Sequence, residues 1–418
     1  MTQPVKKQAV TAVHAYLAWA AAAFFYYYQY ILRVSPGVMV TDLRQEFHMT
    51  AEQFSSLGAV YLYAYSLLQI PLGILIDRIG VQRTLIASVL CCMAGSLAMA
   101  SSYDMWMVQL SRVLIGAGSA GAFMSALKIA ADWLPAGRRG LLMGATLTLG
   151  TVGALTAGKP LVWLIEWAGW RQTILFTTLI GALSLLLVLV LIRLPNRRGE
   201  TKAAPQDLLE SVGKIVRNKR VMIYAVLAVG LYTPLSVLAD LWGTAFLMQK
   251  FTLTRAMAAQ IGMMMYLGLS IGSLLLPWIC EKWGLLDRAI RICSVGILLT
   301  LCFILFGPDV STTTLSLLLV LLGFFCGAEM MCFTGAVRYT TSENSGLTLG
   351  VVNTLNMLGG AFLQQLIGFS LDALWKGDAD VHGVRIYQTH EFVLALSILL
   401  AVIAGCCLIS LKIKAQRQ

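Results

Sequence analysis

Hydrophobic residues fill twelve segments of this chain, and polar residues cluster in the stretches between them. The segments lie at 13–40, 54–76, 84–100, 104–131, 141–165, 172–194, 221–248, 257–279, 289–307, 313–337, 347–371 and 391–411. A helix needs about 20 mainly apolar residues to cross a bilayer, because its backbone N–H and C=O groups must pair with each other inside the hydrocarbon. The pattern therefore predicts an all-α membrane protein with twelve transmembrane helices, which we number span 1 to span 12.

The composition points the same way. Of the 418 residues, 58% are hydrophobic and only 12% are charged, and the mean hydropathy is +0.77. Soluble domains carry about 25% charged residues. All nine cysteines lie within or at the ends of spans, so we expect them to be small apolar fillers and not disulfides or metal ligands.

The distribution of Lys and Arg predicts the orientation in the membrane. With the N-terminus in the cytoplasm, 21 basic residues lie on the cytoplasmic side and 6 on the opposite side. Cytoplasmic loops of membrane proteins carry such an excess, so we expect both termini in the cytoplasm. The net charge of +11 then follows from orientation and from contact with the lipid bilayer, and it requires no nucleic-acid partner.

The longest polar interruption divides six spans from six. We predict an N-terminal bundle at 1–194, a cytoplasmic linker at 195–220 and a C-terminal bundle at 221–418. Within the linker, an amphipathic stretch at 208–216 is expected to lie on the membrane surface.

The two halves resemble copies of one unit. The start of span 5, GLLMG at 140–144, recurs at 346–350 as GLTLG, an offset of 206 residues. The loop after span 2, DRIG at 77–80, recurs at 281–284 as EKWG, an offset of 204. Two matches at nearly the same offset indicate a duplicated six-helix unit, so we expect two pseudosymmetric six-helix bundles.

Several motifs resemble those of one known family. The stretch GILIDRIGVQR at 73–83 resembles the loop between spans 2 and 3 of the major facilitator superfamily, and RVLIGAG at 112–118 resembles its fourth-span motif. AADWLP at 130–135 and GWR at 169–171 resemble the connections around span 5. The resemblance implies a secondary transporter of a bacterial inner membrane, in which two bundles rock around a site near mid-membrane.

The loop motif also has a physical interpretation. Asp77 can face the N-terminus of span 11 near Gly346, where the helix dipole favours an anion by about 0.3–1 kcal/mol. Neighbouring charges can pair beside it and form a conformational latch between the bundles, although they can also simply orient the loop. The predicted latch residues are Gly73, Asp77, Arg78, Gly80, Arg83 and Asp132.

Ionisable residues inside the spans are the main candidates for function. A charge at the bilayer centre costs at least about 2.5–3.5 kcal/mol, so such residues usually face a cavity or a partner. Six of them lie clearly within spans, namely Arg33, Arg112, Lys128, Lys159, Asp240 and Glu329.

Arg33 is the predicted substrate contact. It shares one helical face of span 1 with Tyr26, Gln29 and Tyr30. A fixed cation beside hydroxyl and amide groups suits a carboxylate or a phosphate. Its position resembles that of an arginine in the anion:cation symporter and organophosphate branches of the superfamily. Alternatively, Arg33 extends to the nearby headgroups of the bilayer.

Asp240 in span 7 lies 207 positions after Arg33, close to the repeat offset. Pseudosymmetry places it at a similar depth in the other bundle, which leads to the hypothesis of an Arg33–Asp240 pair in the closed or empty state. Alternatively, Asp240 binds the amine of a zwitterionic substrate. Glu329 is the only carboxyl group inside span 10, and its apolar neighbours favour the neutral acid. It is therefore the candidate proton carrier, or a neutral acid bonded to a neighbouring helix.

The remaining intramembrane residues have two interpretations each. Arg112 resembles an arginine that the superfamily links to proton coupling, but it can also bind carbonyl groups of span 1. Lys128 is expected to join the cytoplasmic cluster near Asp132, and Lys159 either contacts an anion or extends to the headgroups. Polar residues that can line the cavity, or bond between helices instead, are Tyr61, Tyr65, Gln69, Asn353 and Asn356.

We therefore expect a monomeric secondary transporter that takes up a small polar anionic or zwitterionic metabolite, such as a carboxylate or an amino acid, by proton-coupled alternating access. The alternatives are an anion exchanger of the organophosphate type and a proton-driven exporter. Drug exporters of the superfamily carry a Gly-Pro dipeptide in span 5, and the stretch 150–160 lacks one at its centre. The chain has no nucleotide-binding loop, no HExxH motif and no clustered metal ligands, so no enzyme activity, catalytic residue, cofactor or metal is expected.

Overall fold

Twelve helical spans dominate the structure, a computed structural model that describes residues 12–193, 205–341 and 344–412. The spans are Ala12–Val38, Ala51–Ile79, Val81–Ala100, Met105–Trp133, Leu141–Ala168, Trp170–Leu191, Lys219–Phe251, Arg255–Trp283, Leu286–Phe306, Thr312–Val337, Ser345–Leu374 and Thr389–Leu411. Each agrees with its predicted segment to within four residues at either end. The predicted all-α membrane architecture is confirmed.

Eleven of these helices are long and apolar enough to cross a membrane within the described part of the chain. Span 1, Ala12–Val38, is the exception, because its tyrosines and Gln29 lower its hydropathy. This helix is nevertheless buried along most of its length, and every residue from Ile31 to Val38 is buried. Span 1 is thus an inner helix whose polar groups face protein.

Short helices connect some of the spans. Val40–Glu46 joins span 1 to span 2, and Pro205–Arg217 precedes span 7. The second contains the amphipathic stretch predicted at 208–216, whereas residues 195–204 of the predicted linker lie outside the described ranges. The division into two domains and the position of the short helix on the membrane surface remain predictions.

The helix ends define two faces of the molecule. We call the end that carries the turn between spans 2 and 3 the Asp77 face, and the end that carries the turn between spans 11 and 12 the Asp372 face. Exposed aromatic residues occur near both ends, with Trp278 and Trp283 toward the Asp77 face and Trp106, Trp163 and Trp167 toward the Asp372 face. Such belts mark the two interfaces of a bilayer.

Small residues bring spans 8 and 10 into backbone contact. A methyl group placed on Gly268 would lie 2.7 Å from the backbone nitrogen of Phe324 and also against the carbonyl group of Val320. Gly323 meets the backbone of Met265 in the same way. Helices in lipid associate through such close packing, because burying apolar surface provides no driving force there.

We expect Gly268→Ala to lower the free energy of unfolding by about 1–3 kcal/mol, since the methyl group would force two backbones apart. Gly405→Ala is the matched control, because a methyl group there would have no atom within 4 Å and alanine favours helix. Thermal unfolding of the purified protein in detergent measures both. Equal melting temperatures for the two variants would contradict this account of the packing.

Candidate functional site

A buried ion pair joins the two halves of the chain. The Nε and Nη2 atoms of Arg33 in span 1 donate to Oδ2 of Asp240 in span 7, over 3.1 and 2.7 Å. The two side chains are only 6% and 5% exposed. Each charge compensates the other, which removes most of the cost of placing either one inside the membrane.

Tyrosines complete the surroundings of this pair. Arg33 Nη2 also donates to the hydroxyl of Tyr232, and the hydroxyl of Tyr266 donates to Oδ1 of Asp240. The rings of Tyr30 and Tyr232 have their centroids 5.5 and 5.7 Å from the guanidinium carbon. The guanidinium is therefore held by a carboxylate, a hydroxyl and two aromatic rings.

Tyr232 and Tyr266 were missed by the sequence analysis, although a signal for them existed. Tyr232 lies 206 positions after Tyr26, and Tyr266 lies 205 positions after Tyr61. Both spacings match the repeat that relates the two halves. Applying the offset to the tyrosines, and not only to Arg33, would have identified both residues.

One nitrogen of Arg33 remains available. Its Nη1 atom makes no hydrogen bond with the residues that the structure describes, and it is not fully buried. A guanidinium can serve two acceptors at once through its fork of N–H groups. Arg33 can therefore bind an additional anionic group without first releasing Asp240.

The predicted polar face of span 1 is present. The hydroxyl of Tyr26 donates to that of Tyr30 over 3.3 Å, and Gln29 Oε1 accepts a hydrogen bond of 2.9 Å from Tyr61 in span 2. Tyr26 and Gln29 are buried. These groups lie on the same face of the helix as Arg33, as their spacing predicts.

Arg112 in span 4 fixes the backbone at the site. Its Nη1 and Nη2 atoms donate to the carbonyl oxygens of Leu32 and Arg33 over 2.8 and 3.3 Å, and its Nε atom donates to that of Leu57 over 3.1 Å. Its guanidinium lies 4.6 Å from the ring centroid of Tyr61. The geometry is that of the second interpretation, a bond to span-1 carbonyls, and a part in proton coupling remains a prediction.

Glu329 lies apart from the ion pair, in contact with span 11. It is 5% exposed, and its Oε1 atom accepts a hydrogen bond of 2.5 Å from Asn356 Nδ2. The Oδ1 atom of Asn356 is buried and has no partner among the described residues. Asn353, one turn earlier, bonds across the halves to Gln69 over 2.6 Å.

Three intramembrane charges occur at irregularities of their helices. Span 5 is interrupted between Thr156 and Lys159, and span 10 is interrupted just before Glu329. In span 7, a π-helical segment, Leu235–Trp242, contains Asp240. Irregular backbone at membrane depth is tolerated only inside protein, and it frequently marks functional sites. Lys159 contacts the ring of Trp163 at 4.8 Å, and it makes no contact with Arg33 or Asp240.

The carboxylates of the loop motif pair with Lys128, the cation that the sequence analysis expected near Asp132. Lys128 Nζ lies 3.0 Å from Asp77 and 3.3 Å from Asp132. Arg78 and Arg83 are exposed, and neither forms an ion pair with the residues that the structure describes.

The two glycines of the motif differ in their backbone. Gly80 has a φ of 93°, which favours glycine at the turn between spans 2 and 3. Gly73 is helical. A role of this cluster as a latch remains a prediction.

Comparisons with known proteins show what this chain is similar to. A family model described as the Major Facilitator Superfamily matches residues 18–363. The chain is 24% identical to the "Probable L-galactonate transporter" of Escherichia coli over 90% of this chain and 83% of that protein. It is 26% identical to the "Probable sulfoacetate transporter SauU" of Cupriavidus necator, over 43% of this chain and only 40% of that relative's length.

The fold also matches a solved structure. A bacterial homolog of the human lysosomal transporter Spinster, in an inward-facing and occupied conformation, superposes with a TM-score of 0.75 at 15% identity. The match covers 96% of this chain and 97% of that one. At this level of identity the likeness concerns the fold alone.

We expect Asp240→Ala to lower the free energy of unfolding by about 3–5 kcal/mol, because it leaves the Arg33 charge buried and unpaired. The double variant Arg33→Met/Asp240→Leu should recover most of this loss, since it removes both charges. Glu210→Ala is the control, because Glu210 pairs with Lys214 where both are exposed and such pairs contribute little. Thermal unfolding in detergent gives the comparison, and no recovery in the double variant would contradict the pairing.

Proposed function

The chain belongs to the Major Facilitator Superfamily, so it is a membrane transporter and not an enzyme, and we propose that it takes up a small carboxylate-bearing anion together with protons. The bundles would alternate access to Arg33 from the two sides of the membrane. Arg33 carries this proposal, because it is a buried cation with one nitrogen that bonds to none of the described residues. Carboxylates bind such groups through short charge-assisted hydrogen bonds.

The charges at the site support coupling to protons. Arg33 and Asp240 together are neutral, so an incoming monoanion adds one uncompensated negative charge to a region of low dielectric constant. Such a charge is costly inside a membrane. A proton taken up by Asp240 or by Glu329 would restore neutrality, and the anion and the proton would then bind together.

The names of the relatives favour a carboxylate as substrate. Galactonate and sulfoacetate, which appear in those names, both carry a carboxylate group. The rest of such a molecule would receive hydrogen bonds from the tyrosines around Arg33 and from Gln29, Gln69 and Asn353, which lie in spans 1, 2 and 11. A zwitterion would require Asp240 to release Arg33 or Tyr266, both of which it already contacts.

Uptake by symport is favoured over strict exchange. In an obligatory exchanger, the cationic site crosses the membrane only when it is occupied by an anion. Here Asp240 supplies an internal anion to Arg33 over 2.7 Å. The carrier without substrate would therefore remain neutral at this point and could return.

The orientation follows from the loop charges. We place the Asp77 face in the cytoplasm, because the 21 basic residues of the predicted inner loops are on that side. The protein would act as a monomer in the inner membrane of a bacterium, with both termini in the cytoplasm. The cluster of Asp77, Lys128 and Asp132 would then serve as the latch on the inner side.

We expect L-galactonate or sulfoacetate to raise the melting temperature of the purified protein, and Arg33→Ala to abolish the shift. At 100 times its dissociation constant a ligand stabilises by about 2.7 kcal/mol. Arg33→Lys should bind at least about tenfold more weakly, because an ammonium group lacks the planar fork. Arg193→Lys, at an exposed position, is the control, and a neutral sugar alcohol is the control ligand. An equal shift in Arg33→Ala would refute the assignment of Arg33.

In proteoliposomes, we expect an inward proton gradient to accelerate uptake by the wild type but not by Glu329→Gln. Exchange of labelled substrate across the proteoliposome membrane should continue in this variant. Glutamine resembles the protonated acid in shape but cannot release a proton. Glu166→Gln, an exposed position in span 5, is the matched control. If Glu329→Gln retains the response to the gradient and Asp240→Asn loses it, the proton carrier is Asp240.

A further inference from the structure

Asp372, near the end of span 11, accepts hydrogen bonds from the start of span 2. The backbone N–H group of Ala51 donates to its Oδ1 atom over 3.2 Å, and that of Glu52 donates to Oδ2 over 2.8 Å. Thr50, the residue that precedes span 2, satisfies only the next N–H group, that of Gln53. The first two donors of a helix in one half are thus bound by a carboxylate of the other half, where the helix dipole favours an anion.

Two neighbours hold this carboxylate in place. Arg385 Nη1 donates to Asp372 over 2.9 Å, and the hydroxyl of Tyr387 donates to the same oxygen while it accepts from the N–H group of Ala51. Burial and the hydrogen bond to Asp372 raise the pKa of the Tyr387 hydroxyl, which therefore stays protonated as a donor. Asp372 is only 13% exposed on its side chain.

The N-terminal half also contacts the segment that contains Arg385 and Tyr387. Arg44, in the helix Val40–Glu46, donates to the carbonyl oxygen of Arg385 over 2.8 Å and lies 4.8 Å from the ring centroid of Tyr387. Nearby, Arg255 at the start of span 8 donates to the carbonyl oxygen of Val38 over 2.9 Å. All of these contacts cross between the halves at the Asp372 face.

Close helix packing continues from this point toward the centre. Gly58 in span 2 faces the side chain of Gln364 in span 11, and a methyl group on Gly368 would lie 2.6 Å from the carbonyl oxygen of Ala51. With the exception of Ile76, every buried residue of span 2 lies between Ala51 and Gln69. Span 2 is therefore buried along its part toward the Asp372 face and accessible toward the Asp77 face.

We propose that Asp372 is a positioning residue of the transport cycle, whose carboxylate keeps the Arg33 site closed toward the Asp372 face by capping span 2. The site opens on that side only when this carboxylate releases the N–H groups of Ala51 and Glu52. The arrangement reverses the one predicted for Asp77. The sequence predicted that the Asp77 carboxylate, at the end of span 2, faces the start of span 11. The Asp372 carboxylate, at the end of span 11, binds the start of span 2. This proposal goes beyond the proposed function and does not depend on the transported anion or on protons.

Removal of the charge on Asp372 should shift the population toward the state that is open on this side. Asparagine preserves the shape but loses the charge-assisted hydrogen bonds, which are roughly twice as strong as neutral ones. Asp372→Glu keeps the charge and should restore closure at least in part. Asp378→Asn is the matched control, because Asp378 lies in the same connection and bonds to Gln388 of its own half over 2.9 Å.

A cysteine in place of Ser55 reports the closure directly. Ser55 is fully buried and accepts a hydrogen bond from Trp242 of the other half over 2.9 Å. We would measure the rate at which a hydrophilic maleimide labels Ser55→Cys in detergent without substrate, above the background of the nine native cysteines. Asp372→Asn should raise this rate about tenfold, as the loss of such hydrogen bonds predicts, and Asp378→Asn should leave it unchanged.

If Asp372→Asn fails to fold, Tyr387→Phe removes one donor to the same carboxylate and should also raise the labelling rate. Gly58→Ala is the positive control for opening of this face. A methyl group at Gly58 would press on Gln364 and Leu241, so it should also raise the labelling rate, by steric separation of the halves. Labelling that rises in both Gly58→Ala and Asp372→Asn supports the proposal. If Gly58→Ala raises the rate and Asp372→Asn does not, packing alone closes this face and the proposed role of Asp372 is wrong. Because the assay contains no substrate and no proton gradient, its outcome is separate from that of the proposed function.

Discussion

A cation buried between the two halves of a membrane protein must be neutralised, and this requirement governs the structure around Arg33. Arg33 meets it through Asp240 of the opposite half, at 2.7 Å. Because the two charges lie on different halves, each buried charge keeps its partner only while the two halves are in contact. Tyr232 and Tyr266 hold the two ends of the pair, and Arg112 fixes the backbone that carries Arg33. The proposed recognition of an anion and the contact between the halves therefore depend on the same interaction.

The helices that carry the buried charges differ in their regularity. Asp240 lies in a π-helical segment and Glu329 follows an interruption, while the N-terminal half keeps Arg33 on a continuous helix. An unbroken α-helix buries all of its backbone groups in its own ladder and changes shape only at high cost. Asp240 and Glu329 of the C-terminal half thus lie on irregular backbone, and Arg33 of the N-terminal half lies on a continuous helix.

The two faces of the molecule use similar chemistry at opposite ends of spans 2 and 11. On the Asp372 face, a carboxylate of one half caps a helix of the other, and arginines and glycines reinforce the contact. On the Asp77 face, the corresponding carboxylate is paired with Lys128 of its own half. Helix N-termini attract anions without requiring a precise side-chain fit.

The sequence alone determined the twelve spans, their limits to within four residues and the identity of the charged candidates. It could do so because hydrophobic length is a local property, and a charge inside an apolar segment stands out against its neighbours. The repeat offset also predicted that Arg33 and Asp240 occupy similar depths. Only the tertiary structure decided which groups meet. The contact of Lys128 with Asp77 and that of Asp372 with the N–H groups of span 2 depend on how helices far apart in sequence are rotated and packed. No local pattern encodes that rotation.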